Sequence, residues 1–172
     1  MRIISGVYKG KKINQPKDKE TRPLKDLTKE SIFNIIEHSK KFKVELKNSI
    51  ILDLFSGTGS FGIECLSRNA KKVIFVENYS GILPILKRNL SDLKTIDNFK
   101  IVESDIYKEN FILDENIKFD IIFLDPPFKN TNLKILLQNV ENNRTLKKNG
   151  IIILHRHKNE EDNFPSCYEL IE

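Results

Sequence analysis

At 172 residues, 39% of them hydrophobic and 31% charged, the chain is long enough for one domain with a full core. It has no apolar run of about 18 residues that could span a membrane, no signal-peptide segment behind Met1, and two isolated cysteines (Cys65, Cys167) without a Cys/His cluster, so a reduced, cytoplasmic, monomeric protein without a metal is expected. Its net charge of +5 is concentrated: residues 1–29 hold nine Lys/Arg against three acids, while the remainder holds 20 basic against 21 acidic residues. That distribution predicts a basic, polyanion-facing N-terminal extension over 1–29 and a nearly neutral unit over 30–172. A solvated lysine-rich surface is the alternative reading, since Lys, Ile and Asn are abundant throughout.

In chain order, segments 2–7 and 11–13 flank a turn containing Gly10 and predict a small hairpin. Thr21-Arg22-Pro23 leads into a helix over 25–40 with Ile32, Phe33, Ile35 and Ile36 on its buried face. Strands and helices then alternate: a strand over 49–55, a glycine loop, a helix over 60–68 ending at Asn69, a strand over 72–77 and a helix over 80–93 with Pro84 in its first turn. A short strand over 100–103, a strand over 120–124, an amphipathic helix over 132–146 and a strand over 150–155 follow. Repeated strand–helix units imply right-handed crossovers, hence a doubly wound α/β domain with a mostly parallel sheet. Tyr168-Glu169-Leu170-Ile171-Glu172 could begin a C-terminal hairpin, but no partner strand follows; the incomplete hairpin predicts an exposed sheet edge.

The chemistry gathers at the strand ends, where ligands bind in open α/β sheets. Gly57-x-Gly59-x-x-Gly62 lets a backbone approach a nucleotide, and Glu77 is placed for two ribose hydroxyls, which fits NAD and S-adenosyl-L-methionine equally. Asp53 separates them: before the turn it would repel a pyrophosphate but attract the sulfonium and ammonium of S-adenosyl-L-methionine. Asp105 adds an acceptor for an adenine amine; Phe55, Asn78 and Ile106 beside these residues complete the expected cofactor set. In Asp125-Pro126-Pro127-Phe128 two prolines turn the chain rigidly after a strand, fixing a carboxylate, a proline carbonyl and an aromatic ring together. Such a site suits a planar base with an exocyclic amine; a strand-ending turn with a core phenylalanine is the plainer alternative. His155 and His157 alternate along a strand and read as structural or solvent-exposed. Tyr107 and Phe111 read as packing near the cofactor or in the core.

Asp53-Leu54-Phe55-Ser56-Gly57-Thr58-Gly59 resembles the cofactor loop of class I methyltransferases, and Asp125-Pro126-Pro127-Phe128 their amino-methylating motif. Arg2-Ile3-Ile4-Ser5-Gly6, Lys9-Gly10-Lys11-Lys12, Thr21-Arg22-Pro23, Asp26, Lys29-Glu30, Phe33-Asn34 and Ser67-Arg68 extend the resemblance to the RsmD family, guanine-N2 methyltransferases of small-subunit (16S) ribosomal RNA. Leu24 and Leu27 depart from that family's usual threonine and arginine, and Asn69 from its glycine. The resemblance implies that a guanine is flipped into the cleft, stacked on Phe128 and held through its amine by Asp125 and the Pro126 carbonyl. Arg2, Lys9, Lys11, Lys12 and Arg22 are the expected RNA contacts, with ribosomal RNA or the small subunit as partner. The rival readings are adenine-N6 methylation of DNA or RNA, amide methylation of proteins, a non-catalytic RNA-binding module with a vestigial cofactor site, and an NAD oxidoreductase.

Overall fold

A computed structural model describes residues 1–16, 24–93, 97–107, 116–127, 132–156 and 164–171. Arg22, Phe111, Phe128 and His157 lie outside the described residues. The elements, in order, are α1 (Asp26–His38), β1 (Ile50–Leu54), α2 (Ser60–Ser67), β2 (Lys72–Glu77), α3 (Leu83–Ser91), β3 (Phe99–Glu103), β4 (Phe119–Leu124), α4 (Leu133–Asn142) and β5 (Leu146–Leu154). The strands form one sheet in the order β3-β2-β1-β4-β5, and all neighbours are parallel. The chain winds from β1 outward to β3, then returns across β1 to β4 and β5. The switch point therefore falls between β1 and β4, and the crevice there opens at the ends of Asp53 and Asp125.

The sheet is covered on both faces, which is why β2 and β4 carry the continuous apolar runs 73–76 and 121–124 and β1 is apolar except for Asp53. On one face Ile51, Val73, Phe75, Ile121 and Phe123 pack with Phe33 and Ile36 of α1, Phe61 and Leu66 of α2, and Leu86 and Leu90 of α3. Phe61 stacks between Phe33 (ring centroids 5.1 Å apart) and Phe123 (4.0 Å). On the other face Leu52, Leu54, Ile74, Ile122 and Leu124 pack with Leu133, Leu136, Leu137 and Val140 of α4. No helix among the described residues is long and apolar enough to cross a membrane.

The expected hairpin is present as one antiparallel bridge, Arg2 to Lys12, with the Ile3 N–H donating to the Lys11 carbonyl at 2.9 Å and the Ile13 N–H to that of Met1 at 3.0 Å. Ile3 and Ile13 are buried in the same cluster as Phe33, so the hairpin is part of the core. Several expectations need correction. Ile35 is 59% exposed, because Lys29, Phe33 and Ile36 occupy the inward stripe of α1. α3 begins at Leu83, since residues 79–82 form a turn, and Pro84 occupies its first positions. α4 stops at Asn142, where Arg144 takes a left-handed φ of 47° and the Thr145 N–H folds back to the Val140 carbonyl. β5 starts four residues before the expected Gly150, and the extra length is absorbed by a register shift against 119–121 of β4. Residues 164–171 carry no strand; Tyr168 packs against the α4 face and donates its hydroxyl to the Leu137 carbonyl.

Candidate functional site

β1 runs straight into the glycine loop, and the loop is closed by the chain's own acids. Asp53 is 1% exposed, and its Oδ2 accepts the Gly62 N–H at 3.0 Å, tying the first turn of α2 to β1. Burial pushes the Asp53 carboxyl well above its ordinary value, the Gly62 N–H opposes this, and the negative charges of Asp125 and Glu77 add to it. Glu77, at the end of β2, accepts the Gly57 N–H on Oε2 (2.8 Å) and the Asn78 and Tyr79 N–H groups on Oε1 (2.9 Å each). The Gly57 amide of the loop and the Gly62 amide of the first turn of α2 are thus spent on carboxylates. With those amides taken and two carboxylates beside it, the loop suits a cationic ligand better than a phosphate.

Gly59 caps α2 with φ +79°, a conformation that favours glycine. Gly62 has a different reason: a Cβ there would lie 2.3 Å from the Phe75 ring, so its bareness lets α2 sit close on β2. Phe55, directly after β1, holds φ 59°, rare for an aromatic residue, with its ring 5.9 Å from that of Tyr107. Tyr107 is therefore beside the glycine loop. Asp105, after β3, accepts the Tyr107 N–H on Oδ1 at 3.0 Å. Ile106 turns its side chain into the core with Ile74 and Leu124, and Asn78 is exposed.

Across the switch point, Asp125 follows β4; Pro126 is buried and Pro127 exposed. His155, one residue beyond β5, brings its Nδ1 to 2.9 Å from Asp125 Oδ1. This contact is not written in the sequence, because it depends on the register that sets Leu124 opposite Leu154 and so makes the next residue on each strand neighbours. Arg156 Nη1 lies 3.5 Å from the Pro127 carbonyl oxygen.

Of the basic residues expected at a polyanion, Arg2, Lys9, Lys11 and Lys12 are exposed on the hairpin. The Lys11 ammonium lies 4.9 Å from the Tyr8 ring centroid and donates to the Asp92 carbonyl at 3.4 Å. Lys29, which contributed to the charge count, is fully buried: its Nζ donates to the Arg2 carbonyl (2.7 Å) and Ser60 Oγ (3.3 Å) and faces Glu64 Oε2 at 3.6 Å. The hairpin also reaches the glycine loop through Asn89, which donates to the carbonyls of Thr58 (2.9 Å) and Asn14 (3.2 Å) and accepts the Asn14 N–H (2.8 Å).

The chain is similar to known proteins over its whole length. A family model described as Conserved hypothetical protein 95 matches residues 1–172. The chain is 35% identical over 156 residues to the ribosomal RNA small subunit methyltransferase D of Buchnera aphidicola subsp. Baizongia pistaciae, covering 91% of this chain and 76% of that protein. It is 31% identical over 176 residues to the protein of the same name from Haemophilus influenzae, covering 100% and 86%. The solved structure of the yhhF protein of Escherichia coli matches with a TM-score of 0.81 at 26% identity, covering 100% of this chain and 90% of that one.

Proposed function

This chain belongs to the Conserved hypothetical protein 95 family, that of the ribosomal RNA small subunit methyltransferases D, with the class I methyltransferase fold, and from that membership we propose that it methylates the exocyclic N2 amine of a guanine in small-subunit ribosomal RNA. The observation that carries the reading is the alignment of Asp53, Glu77, Asp105 and Asp125 at the carboxyl ends of β1, β2, β3 and β4, around one switch point. Bound S-adenosyl-L-methionine supplies a methyl group activated by a sulfonium. Asp53 would counter the positive charges of that donor with the oxygen not committed to Gly62. Glu77 would hold its ribose and Asp105 its adenine amine, with Gly57, Gly59, Phe55, Asn78 and the Ile106 backbone as walls.

On the substrate side, Asp125 and the Pro126 carbonyl accept the hydrogens of the guanine amine and aim its lone pair at the methyl carbon. Phe128 stacks on the base. Catalysis is then mainly positioning and exclusion of water, because the existing positive charge disperses as transfer proceeds. Residues 1–29 serve as the RNA-facing extension, with Arg2, Lys9, Lys11, Lys12 and Arg22 on phosphates, although α1 spans the boundary to 30–172 and the hairpin is packed into the same core.

The test is a methyl-transfer assay on small ribosomal subunits, naked ribosomal RNA and DNA, with nucleosides identified by mass spectrometry. N2-methylguanosine in small-subunit RNA is the expected product; N6-methyladenosine would select the adenine alternative. Asp125→Ala is expected to abolish transfer while cofactor binding, followed by calorimetry, survives. An active Asp125→Ala enzyme would overturn the assignment.

A further inference from the structure

We infer that His155 is a positioning residue for Asp125: it holds one carboxylate oxygen and leaves the other for the substrate amine. The inference rests on the role proposed above for Asp125. The backbone comes first. The His155 N–H donates to the Leu124 carbonyl at 2.9 Å, so the parallel ladder continues one step past both strands and fixes the two residues side by side. The prolines after Asp125 restrict its backbone but not its carboxylate rotamer. The imidazole supplies that constraint, with Nδ1 at 2.9 Å from Oδ1.

An ionised carboxylate only accepts, so the hydrogen in this contact sits on Nδ1. In the neutral ring that assignment places N–H at Nδ1 and leaves Nε2 bare. The side chains are 26% and 23% exposed, so the pair stands at the crevice mouth. Arg156, beside His155, reaches the Pro127 carbonyl at 3.5 Å and borders the same turn. With Oδ1 held by the imidazole, the carboxylate presents Oδ2 to the amine in one orientation; without the imidazole it turns about its side-chain bond and aims the amine less well.

The experiment is single-turnover transfer to small ribosomal subunits lacking the modification, at saturating S-adenosyl-L-methionine. His155→Asn, whose amide can donate from the place of Nδ1, is expected to keep the rate within about threefold. His155→Ala is expected to lose about tenfold or more, with cofactor affinity and RNA KM unchanged. A wild-type rate in His155→Ala, or a loss in His155→Asn as large as that in His155→Ala, overturns the inference while transfer by wild type leaves the proposed function standing. Absence of transfer by wild type on every RNA overturns both. Cofactor calorimetry on each variant separates loss of fold from loss of positioning.

Discussion

Asp53 is a carboxyl with 1% of its surface exposed and a single backbone N–H on Oδ2, at the point where the cofactor's positive charges would lie. Its carboxyl is raised above the ordinary 3.8 mainly by burial. The sign of the stability effect follows from proton counting. Between the ordinary value and the raised one, the folded state keeps a proton that the unfolded state has lost, so stability falls as pH rises through that window. Asp53→Asn keeps an acceptor for the Gly62 N–H and removes the titration. It should stabilise the protein by on the order of 1 kcal/mol at alkaline pH, with the gain fading toward pH about 4. A second consequence has the same origin. A cation bound beside Asp53 favours its ionised form, so S-adenosyl-L-methionine binding should release protons and tighten as pH rises. Melting curves and calorimetry in two buffers of different ionisation enthalpy check both. A variant that is destabilised at every pH and still binds the cofactor normally would refute this account of Asp53.

Hairpin, α1 and α2 meet at one buried pair. Glu64, with 0% of its surface exposed, accepts the Ile4 and Ser5 N–H groups (2.8 and 2.9 Å) and the Arg68 Nε–H (3.0 Å), and faces Lys29. Burial lowers the Lys29 ammonium's pKa and Glu64's charge opposes that shift, so each ion is tolerated because the other is there. Glu64→Ala should cost about 3–5 kcal/mol in urea unfolding, since it strands a charge and leaves two hairpin N–H groups without their acceptor. Lys29→Met combined with Glu64→Gln should cost distinctly less than Glu64→Ala, because no unpaired ion is left. Equal losses in the two proteins would mean that the charge pairing contributes nothing. None of this was legible in the sequence, where Lys29 is one more lysine in a basic segment: a helix stripe shows which positions face inward, not that an ammonium finds a carboxylate 35 residues later.

At the scale of the whole molecule, the alternation from β1 onward was legible because parallel strands buried on both faces leave uninterrupted apolar runs such as 73–76 and 121–124. Glu77 and Asp125 were legible for the same reason, each standing where such a run stops, and Asp53 as the one acid inside the apolar β1. Contacts across non-adjacent segments, His155 on Asp125 and Tyr168 on α4, depend on register and were not. The charge asymmetry was legible as a sum, and the structure refines it: Lys29 is neutralised internally, whereas Arg2, Lys9, Lys11 and Lys12 stay at the surface on one hairpin anchored beside the glycine loop. A phosphate footprint made by that hairpin has a measurable signature, because each neutralised phosphate releases counterions and steepens the dependence of affinity on salt. Replacing Lys9, Lys11 and Lys12 together by alanine should weaken binding to small-subunit RNA and reduce the slope of log K against log salt by about 2–3, with S-adenosyl-L-methionine affinity unchanged. A slope equal to that of wild type would mean that these lysines are a solvated surface and that the RNA is gripped elsewhere.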